Sequence, residues 1–166
     1  MALELLLVRH ADSTDRLPDQ SDFDRTLSSL GQQNAKEMGQ FLAGEFPLID
    51  KIISSAAIRA KMSSELMADQ LGIGLDEIHY NSEIYEASVR TFLGTICSFD
   101  DQWKTVLLVA HNPTVTYFTE YICGEEVGNI ATGGAVHIQF DLDHWAEASE
   151  GSGKLKFYVD PSSLIV

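Results

Sequence analysis

Two short, unbroken apolar runs, Leu5-Leu6-Leu7-Val8 and Val106-Leu107-Leu108-Val109-Ala110, constrain the fold of this chain more than any other feature. A strand open to water on one face alternates apolar and polar side chains, whereas a strand covered on both faces reads as a continuous apolar run. These runs therefore imply a sheet enclosed by helices on either side. Ile52-Ile53 offers a third, weaker strand. Residues 29–46, 56–71, 89–99 and 113–122 have helical spacing, so strands and helices alternate along the chain.

After Thr132-Gly133-Gly134 the pattern changes. Val136, Ile138 and Phe140 alternate with polar neighbours, and Leu155, Phe157 and Val159 repeat the alternation, as antiparallel or edge strands do. Residues 143–153, acidic and rich in small side chains, read as the exposed connection of a hairpin. At 166 residues the chain is long enough for one buried core and too short for two ordinary domains, so a single α/β domain is expected.

With 25 acidic against 11 basic residues and a net charge of -14, the chain is unsuited to nucleic acid or to an anionic membrane, which are held mainly by clustered Lys and Arg. Against that background Arg9, Arg25, Arg59 and Arg90 each matter individually. Cys97 and Cys123 show no CxxC spacing, suit a reducing compartment and read as core thiols. The apolar start, residues 3–8, is interrupted by Glu4 and too short for a signal core or a membrane span. A cytoplasmic location is expected.

Both buried runs end in a histidine, as Val8-Arg9-His10 and Val109-Ala110-His111. Ligands of open α/β sheets bind just beyond the carboxyl ends of strands, so the topology can bring these two histidines together. Asn112-Pro113 has the form of an N-cap followed by proline at the first helical position, and a helix start there favours an anion. Ser54-Ser55 reads as the cap of a helix that carries Arg59 on its first or second turn. Arginine's planar fork grips two phosphate oxygens and stays charged. Its neighbours Ala56, Ala57, Ile58, Ala60 and Met62 mark a half-buried helix start, where an unpaired arginine is costly without an anion.

Taken together, Arg9-His10 after a first strand, Ser54-Ser55 with Arg59-Ala60, and Val109-Ala110-His111-Asn112-Pro113 resemble the histidine phosphatase superfamily over most of the chain. Asp24-Arg25-Thr26-Leu27 with Gly31, and Ile84-Tyr85-Glu86-Ala87-Ser88, resemble its compact phosphohistidine phosphatase branch, known as SixA. The resemblance implies a phosphoglycerate mutase-like fold, a three-layer α/β/α sandwich with a mainly parallel mixed sheet. It implies one domain over residues 1–166 without a large cap insertion.

The resemblance further implies a mechanism without metal or cofactor. His10, neutral at the attacking nitrogen, would accept the phosphoryl group in line, and water would hydrolyse the phosphoenzyme. Arg9, Arg59 and His111 match the phosphate pocket that stabilises the equatorial oxygens. Arg25 would border the entrance or touch the phosphate, although a surface pair with Asp22 or Asp24 is the simpler account. Asn112 joins the substrate-binding set. The expected partner is a phosphorylated protein, such as one carrying a phosphohistidine domain, or alternatively a small phosphate ester.

Two departures bear on this reading. Ala11 stands where the superfamily motif usually has glycine, and a methyl there would restrict a backbone that needs positive φ. The general acid is open between Glu83 and Glu86, with Glu86 fitting the spacing better; a solvated acidic loop is the competing account. Asp12 needs no catalytic explanation, and His79, His137 and His144 carry no motif and are expected to be structural or exposed. Two other functions are weighed. A metallohydrolase using His10, Asp12, His111 and a nearby carboxylate lacks an HExxH motif, and the nearby arginines would repel a cation. A phosphate-binding module that has lost turnover is favoured by the unplaced acid and Ala11, and opposed by the presence of His10.

Overall fold

A computed structural model describes residues 2–164. In chain order the elements are β1 (Leu3–Arg9), α1 (Ser29–Glu45), β2 (Lys51–Ser55), α2 (Ile58–Leu71), β3 (Ile78–Asn81), α3 (Val89–Cys97), β4 (Thr105–Ala110), α4 (Thr114–Cys123), β5 (Ala135–Phe140) and β6 (Gly153–Val159). The sheet runs in the order β3-β2-β4-β1-β5-β6. The first four strands in that order are mutually parallel, β5 is antiparallel to β1, and β6 is antiparallel to β5. This is the α/β sandwich with a mainly parallel mixed sheet that the resemblance implies, and the apolar runs lie in strands covered on both faces.

The period of two along a strand explains the layers. Leu3, Leu5 and Leu7 of β1 join Val106 and Leu108 of β4 in a core with Phe92 and Ile96 of α3 and Val115, Phe118 and Ile122 of α4. Leu6, Val8, Leu107 and Val109 face the other way, against Ala35, Met38 and Leu42 of α1 and Ala60, Met67 and Ala68 of α2. Each fully buried Leu or Val contributes about 1.5–3 kcal/mol relative to exposure, so both faces of β1 and β4 are strongly committed. Among the described residues no helix is long and apolar enough to cross a membrane.

The structure departs from the sequence reading at several points. The short edge strand β3 is not signalled by any apolar run, because only Ile78 of its four residues is buried. Ser54 and Ser55 do not cap α2. They remain strand residues, two positions turn after them, and Ala57 takes the N-cap position without a side-chain cap. Pro113 occupies the N-cap of α4, its carbonyl accepting the Tyr117 amide, and Asn112 lies one residue earlier. Asn112 nonetheless serves the helix start, since its Oδ1 accepts the Thr116 amide at 3.1 Å.

The connection between β5 and β6 is not wholly exposed. Trp145 is fully buried, packs edge-on against Phe99 and Phe140, and donates its indole N–H to the Trp103 carbonyl at 2.7 Å. Cys97 and Cys123 are half-buried rather than core residues. His79 and His144 are exposed, while His137 is buried and bonded to Glu4 across the β1–β5 pair, in keeping with structural roles.

One close approach fixes the loop that leads from β1 toward the site. A Cβ on Gly31 would lie 2.0 Å from the Asp12 carbonyl oxygen, so only glycine lets the first turn of α1 meet this segment. Ser28 caps α1 by accepting the Gly31 amide, and its hydroxyl lies 2.6 Å from the Asp12 carboxylate.

Candidate active site

The parallel register of β1 and β4 pairs Arg9 with Ala110, so His10 and His111 emerge side by side at the carboxyl edge of the sheet. Their ring centroids are 5.1 Å apart. The backbone beneath them is held from both sides. His10 donates its amide to the Ala110 carbonyl, and the Gly133 amide reaches the carbonyls of both Arg9 and His10. Gly133 has φ +74°, a left-handed conformation that glycine adopts at little cost. Ala11 is buried and does not require positive φ, so its methyl introduces no backbone strain.

An open cavity of about 770 Å³ covers this edge, lined by Arg9, His10, Arg25, Arg59, Glu86, His111 and Asn112 among others. Of the site residues considered from sequence, these seven border one cavity. Glu83 is exposed and does not line it, and neither does Arg90. Asp12, Asp15 and Asp22 complete an acidic rim around a cationic floor.

His10 is 7% exposed, and its Nδ1 donates to the Ala11 carbonyl at 2.8 Å, which leaves Nε2 as the unprotonated nitrogen, an acceptor for Arg59 Nε. The Ala11 peptide is itself anchored, its amide donating to Ser63 Oγ at 3.0 Å while Ser63 donates to the Arg59 carbonyl. Burial pushes the His10 pKa down to about 4, and the arginines Arg59, Arg9 and Arg25 push in the same direction. Burial, then His10 and Arg59, lower His111 to about 3. Both rings are neutral at pH 7.

Arg59, on the first turn of α2, is 6% exposed and engaged on three sides. Its Nε lies 3.3 Å from His10 Nε2, and its two terminal nitrogens donate to the Asp22 carbonyl at 2.6 Å and carboxylate at 2.9 Å. Asp22 also accepts from Tyr85 at 2.7 Å and from Arg25 at 3.1 Å. These donors, Tyr85 foremost, hold its carboxyl well below the usual carboxylate range. Burial and the Asp22 carboxylate raise Tyr85 to about 12, so it remains a hydroxyl donor.

The remaining candidates are less free. Arg25 spends its other nitrogens on the Thr14 carbonyl and the Ser13 hydroxyl. Asn112 donates to Asn129 and to the Ile130 carbonyl. Arg9 gives one nitrogen to the Ile130 carbonyl, whereas its buried Nε, like His111 Nδ1, has no partner among the described residues. Glu86 is exposed at the rim with φ 56°, the one described non-glycine residue with positive φ. Such a conformation costs about 1 kcal/mol or more and is concentrated at functional sites.

Asp22 and Tyr85 are the participants that sequence reading missed. Asp22 was visible only as a neighbour of Arg25, and its grip on Arg59 spans two elements brought together by the fold. Among the described residues no group of three or more His, Cys, Asp and Glu side chains is placed to hold a metal ion.

The neutral histidine pair has a measurable cost in acid. Imidazoles of the unfolded chain take up protons near pH 6.5, and the folded ones resist until about pH 4 and about pH 3. Between those limits the unfolded state binds more protons, so stability is complete above pH 6.5 and is lost as pH falls through this window. The loss is on the order of a few kcal/mol. The wild-type Tm should therefore drop more steeply than that of His111→Gln between pH 7 and pH 4.5, whereas parallel curves would remove the linkage.

The model of the histidine phosphatase superfamily (branch 1) matches residues 5–96, and the chain belongs to that family. It is a phosphatase in class. An uncharacterized protein of Mycobacterium leprae is 30% identical over 127 residues, which covers 75% of this chain and 76% of that protein. The phosphohistidine phosphatase SixA of Escherichia coli is 23% identical over 98% of this chain and 96% of its own. The solved structure of the protein histidine phosphatase SixA complexed with tungstate superposes with a TM-score of 0.84 at 21% identity, covering 98% of this chain and 99% of that one.

Proposed function

We propose that this chain is a phosphohistidine phosphatase that works through a phosphorylated His10. The observation that carries the reading is a neutral, buried His10 whose unprotonated Nε2 accepts from Arg59 Nε at 3.3 Å, with Arg9 and a second neutral histidine bordering the same cavity. In the proposed reaction the Nε2 lone pair attacks phosphorus, the N–P bond forms, and the bond to the leaving group breaks with its electron pair. Water then attacks the phosphoenzyme, releasing inorganic phosphate and regenerating His10. Arg9, Arg59 and His111 stabilise the charge on the transferring group, and the buried, unpartnered Arg9 Nε is suited to a phosphate oxygen.

Glu86, at the rim with its backbone held in the left-handed region, is the proposed proton donor to the leaving group. Arg25 and Asn112 are assigned to shaping the mouth, since their polar atoms are largely occupied within the protein. The charge neutralisation comes from arginine, and the proposed route uses no metal.

Similarity to the two SixA proteins supports a phosphohistidine substrate carried on a protein. So does the open mouth, which admits a projecting side chain and offers few enclosing contacts to a small metabolite. Incubation with a phosphohistidine protein and with a chromogenic phosphate ester, each with and without chelator, should leave alkali-stable label on His10. The phosphoprotein should be turned over faster. Ester preferred over phosphoprotein would select the small-molecule reading, and no trapped label with either would leave a phosphate-binding module.

A further inference from the structure

His111 forms one wall of the cavity, and its Nε2 lies 2.7 Å from the Ser55 hydroxyl oxygen. A neutral imidazole carries a single N–H, so the identity of the donor in this contact decides what the ring presents to the cavity. Ser55 is fully buried at the end of β2, and its Oγ already accepts the Ala57 amide at 3.2 Å. Among the described residues His111 is the one acceptor placed for the Ser55 hydroxyl hydrogen.

Two arrangements are conceivable. With the proton on Nε2, the Ser55 hydroxyl would accept twice and leave its own hydrogen buried without an acceptor, and Nδ1 would be a bare lone pair in a cationic pocket. With the hydroxyl donating, Ser55 and Nε2 are both satisfied, and the ring proton falls on Nδ1. That atom is buried and has no protein partner. Unmade buried hydrogen bonds are costly, and the second arrangement leaves just one, a donor that a phosphate oxygen can complete.

We infer that Ser55 is a positioning residue that fixes the His111 tautomer, so that His111 donates its Nδ1–H to the phosphoryl group. The inference rests on the phosphatase reading above. It makes the two histidines complementary. The His10 Nδ1–H is spent on the Ala11 carbonyl, so that Nε2 offers a lone pair, while the Ser55 hydroxyl occupies His111 Nε2, so that Nδ1 offers a proton. Neighbouring rings of equal burial thus receive opposite roles from their immediate hydrogen-bond partners.

The test is ¹⁵N NMR of the full chain labelled in its histidine rings, combined with kinetics on a chromogenic phosphate ester. His111 Nδ1 should be protonated in wild type and in Ser55→Thr, whereas in Ser55→Ala the proton should move to Nε2 or average between the nitrogens. Ser55→Ala should lose about 10- to 100-fold in kcat with KM within about threefold, and Ser55→Thr should recover most of it. Label should still be trapped on His10 in Ser55→Ala. Protonation of His111 Nε2 in wild type overturns the inference without any variant, as does a wild-type rate in a folded Ser55→Ala. Failure of the broader phosphatase reading looks different: wild type then yields no label on His10, whichever tautomer the spectra report.

Discussion

Replacing His10 with alanine is expected to lower turnover by at least about 10⁴-fold while inorganic phosphate still binds. The covalent route needs the Nε2 lone pair, and no other side chain on the cavity floor can replace it: His111 is turned into a donor by Ser55, and the arginines have no lone pair to offer. Binding, in contrast, is proposed to draw on Arg9, Arg59 and His111, all of which remain. The fold should survive, because the peptides around position 10 are held through backbone groups. The Ala11 amide keeps Ser63, and the Gly133 amide keeps the carbonyls of residues 9 and 10. Kinetics on a phosphate ester and ³¹P NMR titration with inorganic phosphate check both halves. A loss smaller than tenfold would remove the covalent intermediate, and a loss of phosphate binding would mean that the ring helps build the anion site.

The central sheet was legible because burial on both faces writes itself into sequence as an unbroken apolar run. β1 and β4, each entirely apolar at their centres, contribute to the cores on both faces of the sheet and deliver the histidines. α1 was legible almost to the residue, since Ser28 caps it and Phe46 follows it. β3 was not, because an edge strand with one buried residue carries no pattern distinguishable from a loop. Trp145 illustrates a different failure. The local composition of residues 143–153 is that of a solvated connection, and one large aromatic within it is buried by partners from β5 and from the segment between α3 and β4.

Sequence pointed to the groups that strand ends and a helix start deliver to the cavity, which are Arg9, His10, Arg59 and His111. It did not reveal how those groups are held. The Ser54-Ser55 pair was recognised, yet for a capping role that the extra turn before α2 removes, and Ser55 is used instead against His111 across the β2–β4 pair. Asp22 belongs to a loop whose path depends on the Gly31 contact and on its own bond to Tyr85. Interactions of this kind join elements remote in sequence, and neither periodicity nor motif spacing encodes them. Glu86 was separated from Glu83 in space by a single turn, and only the backbone trace shows which of the two borders the cavity.

Arg59→Lys should lower kcat/KM by about 10³-fold, nearly as much as Arg59→Ala, although it preserves the charge. The guanidinium serves three directions at once: Nε toward His10, one terminal nitrogen toward the Asp22 carbonyl and the other toward the Asp22 carboxylate. A lysine ammonium is a single point at the end of a flexible stem. Pulled to Asp22 it abandons the nucleophile, and drawn toward the nucleophile it leaves the Asp22 carbonyl unanswered. The loop itself should hold, since the Asp22 carboxylate keeps Tyr85 and Arg25, so Tm should change far less than activity. Measuring kcat/KM beside thermal unfolding separates the two effects. If Arg59→Lys stays within about tenfold of wild type, the pocket requires charge alone, and Asp22 has no part in aiming it.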